Sequence, residues 1–354
     1  MLTKQMREDF YHFEGNAQAL RLVTKLHFLI GDKGMNLTKA LLGTIIKYPI
    51  ASNEAGHPGK YKKMGYFYAD RDIFEDIEES LGLGGCRHPL TFILEAADDI
   101  AYRTADIEDA VKKGCISYRE LLSELRAVEK ERAAGNERYS QQVDKLEELY
   151  GRALRDGISG PELYAVQNWI VNTQGKFISA AIYGFTAHYN EIMEGSYRED
   201  LFFGTDMEPL VWALGDIAYR YVFTSKPIYK LEIAAEVIIS NLLDKFINAV
   251  LYFDTDEHSK ERLLEELKDE ALLEGLKERK DSGDKNEKRP GMSAVDEKLI
   301  SLISENYMNV YKRCSEGKSE SEKLYLRLML VTDYICGMTD SFAKTLYQEL
   351  NAVI

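Results

Sequence analysis

The sequence predicts an all-α protein, and three observations carry that expectation. Apolar residues recur three and four positions apart over long stretches, which gathers them on one face of a helix. Only 7 prolines occur in 354 residues, too few to break up many helices. No run alternates apolar and polar residues convincingly enough to read as a strand. A chain of this length, 45% hydrophobic and 29% charged, can bury a sizeable core as one large domain or two closely packed ones.

Taken in order, NAQALRLVTKLHFLI (16–30) is the first clear amphipathic helix. NEAGHPGKYKKMG (53–65) and LGLGGCRHP (81–89) break the periodicity with Gly, Pro and Asn and read as loops, the first of them basic. LEAADDIAYRTADIEDAV (94–111) is helical again. The charged stretch 118–150 reads as a helical pair or one long solvated helix, an outer arm of the fold. GISGPE (157–162) and FTSKP (223–227) are further loops. The apolar stripe EVIISNLLDKFINAVLYF (236–253) suits core better than interface. From residue 261 a charged helix degrades into a run of Lys, Asp and Gly, which predicts a mobile loop near 278–294. No boundary between domains stands out.

Composition excludes several classes. With 45 Lys and Arg against 59 Asp and Glu, the net charge of −14 argues against broad binding to nucleic-acid phosphates, though a local groove stays open. Cys86, Cys115, Cys314 and Cys336 lack the spacing of a zinc site or a disulfide framework, which fits a reducing compartment. No segment has the roughly 20 apolar residues of a membrane span, and the N-terminus has no signal-peptide pattern. A cytoplasmic protein is expected.

The segment 94–111 packs six carboxylates into eighteen residues. On a helical wheel Ile93, Ile100, Thr104, Ile107 and Val111 share one side, and Asp98, Tyr102, Asp106 and Asp109 the other. Any solvated amphipathic helix shows such a face. Asp98, Tyr102 and Asp106, however, repeat at i, i+4, i+8 without a lysine to pair the acids along the helix, and such a face can offer a metal ligand followed by two hydrogen-bonding groups.

Five blocks, FEGNAQALRLV (13–23), IIKYP (45–49), KKMGYF (62–67), HPLTFILEAADDIAYRTADIEDAV (88–111) and DYICGMTDSFA (333–343), occur in the order seen in the deoxyguanosinetriphosphate triphosphohydrolases. The chain resembles the C-terminal two-thirds of that family, which belongs to the HD-domain metal-dependent phosphohydrolases. The resemblance implies a helical HD-like bundle over 1–115, lacking its N-terminal part, and a further helical region over 116–354. It implies cleavage of a deoxynucleoside triphosphate, typically dGTP, into deoxynucleoside and triphosphate. Asp98 resembles the last aspartate of the metal set. Asp106 resembles the group that holds the 3′-hydroxyl, and Tyr102 the ring against the sugar, where a phenol crowding the 2′ position would exclude a ribonucleotide. Lys47, Tyr48 and Lys63 resemble the triphosphate pocket, whose charges would be met by charge-assisted bonds. Asn16 and Gln18 match polar positions near the site, although Asn16 reads equally as a helix cap. Arg327 either reaches the site or pairs with an acid. Homo-oligomers, often hexamers, and single-stranded DNA as an effector are further family traits; the charge of −14 argues against a large DNA surface here.

The family's metal site needs a histidine, a His-Asp doublet and the aspartate, and no His-Asp dipeptide occurs in this sequence. None of its six histidines, His12, His27, His57, His88, His188 and His258, occupies a motif position. The missing ligands and the proton-handling acid and histidine would precede Met1, so no catalytic residue is placed. A divalent metal, Mg or Mn or another transition metal, is expected to be held poorly by Asp98 alone, and the chain to be nearly inactive. Several readings stay open: a fragment of a dNTP triphosphohydrolase, favoured over a natural short paralogue that lost catalysis because Asp98, Tyr102, Asp106, Lys47 and Lys63 are all present, a non-catalytic dNTP-binding sensor or assembly subunit, and a helical scaffold.

Overall fold

A computed structural model describes residues 2–27, 34–255, 259 and 292–353, and among these the chain is helical without a β-strand. The fold class agrees with the periodicity. The loop expected near 278–294 lies, as far as residue 291, outside the described residues. The helices are α1 (Lys4–Tyr11), α2 (Gly15–Arg21), α3 (Lys39–Ile45), α4 (Arg71–Leu81), α5 (Pro89–Lys112), α6 (Tyr118–Glu131), α7 (Glu137–Arg155), α8 (Pro161–Ala187), α9 (Tyr189–Met193), α10 (Glu208–Ala218), α11 (Lys226–Val250), α12 (Ala294–Leu302), α13 (Glu305–Ser315), α14 (Glu320–Cys336) and α15 (Asp340–Leu350).

The chain forms two compact units built from interleaved stretches. One comprises Met1–Leu37, Ile50–Phe74 and Ala234–Ile354, and the other Thr38–Pro49 and Glu75–Ile233. We call them the terminal and the middle unit.

In the middle unit, α5, α6, α7, α8 and α10 enclose a core that includes Ile107, Leu125, Tyr139, Leu146, Trp169, Phe177 and Leu214. The stretch 118–150 is a helical pair, α6 and α7, and it differs from a solvated outer arm. Leu121, Leu125, Tyr139, Val143 and Leu146 are fully buried, because they recur at helical spacing within an otherwise charged sequence. The turn between the two helices uses Gly135 at φ 79° and Asn136, whose side chain caps α7 by accepting from Tyr139 N. Trp169 donates its indole N–H to the Gln142 carbonyl at 2.8 Å, which ties α8 to α7. Gly184 of α8 is required by close approach, since a Cβ there would lie 2.0 Å from the Leu201 carbonyl oxygen.

In the terminal unit, Met6, Ala17, Met64, Phe67, Phe246, Tyr325 and Met329 belong to a second core. The first amphipathic helix is shorter than the sequence suggests. It leaves α-geometry at Leu22 for a π turn, Leu22–Leu26, where the Thr24 hydroxyl bonds back to the Leu20 carbonyl at 2.7 Å. The stripe 236–253 is core at Leu242, Phe246, Ala249 and Val250, whereas Val237 on the opposite side of α11 is exposed. The cysteines are free. Among the described residues no helix is long and apolar enough to cross a membrane.

Candidate functional site

In the middle unit the candidate residues stand on α5 and on the segment that follows α3. His88 caps the helix, its Nδ1 accepting from Leu90 N at 3.2 Å, and Pro89 opens the first turn. Thr91 donates to the Thr44 carbonyl at 3.0 Å, so the end of α3 is pinned against the start of α5. The segment leaving α3 carries Lys47 and Tyr48. Lys47 Nζ stands 3.1 Å from Glu95 Oε1 and 5.8 Å from the centre of the Tyr48 ring. Burial works against the Lys47 ammonium, but Glu95, with Tyr48 and Asp98, outweighs it and raises its pKa. The second Glu95 oxygen receives the buried Arg87 guanidinium, which also covers the Phe92 ring.

Along α5, Glu95, Asp98, Tyr102 and Asp106 fall within about 80° of one another on the helical wheel, and Thr104 and Ile107 on the other side are fully buried. Asp98 is exposed and Tyr102 is 66% exposed. Partial burial, with Asp109 nearby, raises the Asp106 carboxyl. Asp98, Tyr102 and Asp106 make no side-chain hydrogen bond or ion pair among the described residues, whereas Asp99, on the edge of the same face, pairs with Arg103 at 3.4 Å.

The terminal unit holds Asn16, Gln18, Lys63 and Arg327. The cap of α2 is Glu14, and Asn16 sits inside the first turn, so the capping role considered for Asn16 belongs to its neighbour. Glu14 accepts from the Asn16 amide at 2.8 Å and from its backbone N–H at 3.4 Å, and pairs with Lys63 Nζ at 3.0 Å. Burial pushes the Glu14 carboxyl up, yet Lys63 and Asn16 together hold it below its ordinary range. Gln18 donates to Asp333 Oδ1 at 3.0 Å. Arg327 is fully buried and bonds Glu320 at 2.7 Å, the Phe253 carbonyl at 2.8 Å and Thr255 at 2.7 Å. Its guanidinium thus ties α14 to the segment that follows α11, the acid-pairing alternative of the two considered.

Sequence reasoning missed the acids that hold these groups, Glu14 and Glu95, and a buried network within the terminal unit. In that network Arg21 lies between Asp333 and Asp70, and Lys25 stands 2.7 Å from Asp70. Beside it the buried Asp9 accepts from Ser52, Tyr68 N and Tyr325. Glu14, Arg21, Glu95 and Asp333 all lie inside the five blocks, and that membership was the available signal. Among the described residues no group of three or more His, Cys, Asp or Glu side chains is arranged to hold a metal ion.

No family model matches the chain. It is 40% identical over 355 residues to the deoxyguanosinetriphosphate triphosphohydrolase-like protein of Listeria monocytogenes, covering 100% of this chain and 68% of that protein. It is 31% identical over 373 residues to the deoxyguanosinetriphosphate triphosphohydrolase of Yersinia enterocolitica, covering 99% and 66%. With the deoxyguanosinetriphosphate triphosphohydrolase-like protein of Synechocystis it shares 26% over 361 residues, covering 98% and 67%.

Proposed function

The chain belongs to the deoxyguanosinetriphosphate triphosphohydrolase family, and from that premise we propose that it binds a deoxynucleoside triphosphate, dGTP in preference, for hydrolysis to deoxynucleoside and inorganic triphosphate. The observation that carries this reading is the order of groups on α5. Glu95 holds Lys47 at 3.1 Å, and Asp98, Tyr102 and Asp106 follow on the same face. A helix rises about 6 Å in four residues, so the successive groups are spaced on the scale of phosphate, sugar and beyond.

In this reading Lys47 and Tyr48 of the middle unit take the triphosphate by charge-assisted hydrogen bonds; by the family resemblance Lys63 has the same role, and Asn16 is a polar substrate-binding position. Asp106 accepts from the 3′-hydroxyl, and Tyr102 lies against the sugar where a 2′-hydroxyl would collide with its ring. Hydrolysis adds water at the α-phosphorus and releases the 5′-hydroxyl of the deoxynucleoside. A divalent cation would supply a polarised phosphate and a more acidic water. Of the ligands expected for it this chain offers Asp98, and the described residues alone do not fit such an ion, so no step is derived through it.

A second reading, a dNTP-binding sensor or assembly subunit without turnover, rests on the same binding groups. Binding without turnover would favour it. Chromatographic product analysis with dGTP and Mn or Mg separates the two. Deoxyguanosine with triphosphate supports the hydrolase, as does turnover that returns when an N-terminal extension bearing the His and His-Asp motifs is added; retained dGTP binding without product in either form supports the sensor; absence of binding defeats both.

A further inference from the structure

Helix α8 is 27 residues long and carries two charged side chains, Glu162 and Lys176, in a chain that is 29% charged. Its buried face, with Trp169, Thr173, Phe177 and Gly184, accounts for one side. The opposite side is apolar as well. Val171, Gly175, Ile178, Ile182 and Phe185 follow one another at steps of four, three, four and three, which sets them within about 80° on the helical wheel and is the spacing of a helix that packs along another helix. Val171, Ile178 and Ile182, with Tyr183 beside them, are 51–70% exposed. Phe185 is half-buried and lines a groove of about 270 Å³ that α8 forms with Ile93, Ile100 and Leu201. Gly175 is the second observation. A Cβ there would meet nothing within 4 Å, so packing among the described residues does not require a glycine that weakens a helix relative to alanine. Gly184 on the buried face differs, because Leu201 demands it.

We propose that this face of α8 is where a second copy of the chain docks, by antiparallel pairing of α8 with itself about a two-fold axis level with Ala180. The spacing reads alike in both directions, and an isologous contact needs that self-complementarity. In this register Ile178 meets the partner's Ile182, and Phe185 covers the partner's Gly175, whose missing side chain leaves room for the ring. Lys176 comes beside the partner's Tyr183, a cation against an aromatic ring, and the two Lys176 groups stand about 12 Å apart along the helix. The face therefore meets itself without like charges in contact, although the chain carries −14. Half-exposed side chains of this size offer on the order of 100 Å² each. Val171, Ile178, Ile182 and Tyr183, with Ile93, Phe185 and the exposed Tyr189, come close to the roughly 800 Å² that each partner gives a standard interface. The proposal concerns association and does not depend on what α5 binds.

The test is light scattering on the full 354-residue chain after size-exclusion chromatography, from about 0.1 to about 10 μM, a range that spans the weak end expected for such an area. The parent is expected to show twice the mass of one chain or a larger even multiple. Ile178→Lys and Ile182→Asp each bring an unpaired charge into the contact, and each is expected to weaken the pairing at least about a hundredfold and to halve the mass. Mixed with each other, the two variants are expected to regain about tenfold or more, because the new ammonium of one then meets the new carboxylate of the other while the second Ile178–Ile182 contact stays intact. Val237→Asp, on the exposed side of α11, is the control and is expected to keep the parent's mass. Gly175→Leu guards against a variant that fails to fold: leucine favours a helix over glycine and the site is open, so the chain stays folded while the partner's Phe185 is shut out and the mass halves. A parent that is a monomer throughout, or variants at 175, 178 and 182 that keep its mass, overturns the proposal and leaves the face to another segment of the protein or to a different partner. Dissociation of the single variants without recovery in the mixture overturns the antiparallel pairing and the proposal with it.

Discussion

Arg21 and Asp333, 312 positions apart in sequence, form a two-pronged ion pair in the interior of the terminal unit. Nε lies 2.8 Å from Oδ1 and Nη2 lies 2.7 Å from Oδ2, with the side chains 2% and 3% exposed. Burial opposes the charge on Arg21, but Asp333 and Asp70 more than offset it and raise its pKa. Removing one partner of such a pair strands a charge away from water. Asp333→Ala is therefore expected to cost about 3–5 kcal/mol of stability, read as a lower denaturation midpoint. A loss under about 1 kcal/mol, the range of exposed pairs, would show that water reaches Arg21.

The helix class was legible because periodicity is a local property, and α5 through α8 follow it. The buried face of α6 and α7 was legible too, in Leu121, Leu125, Val143 and Leu146, but their charged surroundings drew attention to solvent. The network around Arg21 could not be read, since its partners come from positions 70 and 333 and no local spacing announces them. The same holds for the site. Asp98, Tyr102 and Asp106 could be picked out as candidates because they share one helix, whereas the pairing of Lys63 with Glu14 and of Lys47 with Glu95 depends on loops whose course only the fold sets. Arg327 shows the converse: pairing with an acid was one of its two readings, but no local spacing named Glu320 or the segment after α11 as the groups that absorb its donors.

Gly184 gives a prediction whose sign is diagnostic. In an unconstrained helix Gly→Ala stabilises by about 1 kcal/mol. Here the added Cβ would meet the Leu201 carbonyl oxygen at 2.0 Å, which forces the backbone to move. Gly184→Ala is expected to destabilise by about 1–3 kcal/mol, measured by denaturant unfolding. A rise in stability would mean that the segment at Leu201 yields freely.

His88 makes the start of α5 sensitive to pH. Burial lowers its pKa from the ordinary value of 6.5, and the neutral ring accepts from Leu90 N through Nδ1. A base with a depressed folded pKa contributes stability above its unfolded value and loses it as pH falls through 6.5 toward the folded value. Melting midpoints should therefore fall more steeply on acidification below that pH for the parent than for His88→Asn, which can cap the helix but does not titrate. Parallel curves from pH 8 to 5 would remove His88 as the source.

In the proposed reading Tyr102 and Asp106 divide the work of recognising the sugar, and three variants distinguish their parts. Asp106→Asn alters the proposed acceptor of the 3′-hydroxyl without touching the phosphate ligands, so dGTP binding should weaken by about tenfold, the lower range for a hydrogen bond to a charged group, while tripolyphosphate binding stays unchanged. Tyr102→Ala removes the ring rather than a hydrogen bond. Its side chain is 66% exposed and has no hydrogen-bond partner among the described residues, so its loss should leave the fold intact and let GTP bind more nearly as dGTP does. Tyr102→Phe, which keeps the ring, should preserve the discrimination. Titrating both nucleotides against the three variants reads all of this together. A Tyr102→Ala protein that still rejects GTP would place the exclusion of ribose elsewhere, and an Asp106→Asn protein that loses tripolyphosphate as well would mean that Asp106 acts through the shape of α5 rather than through the sugar.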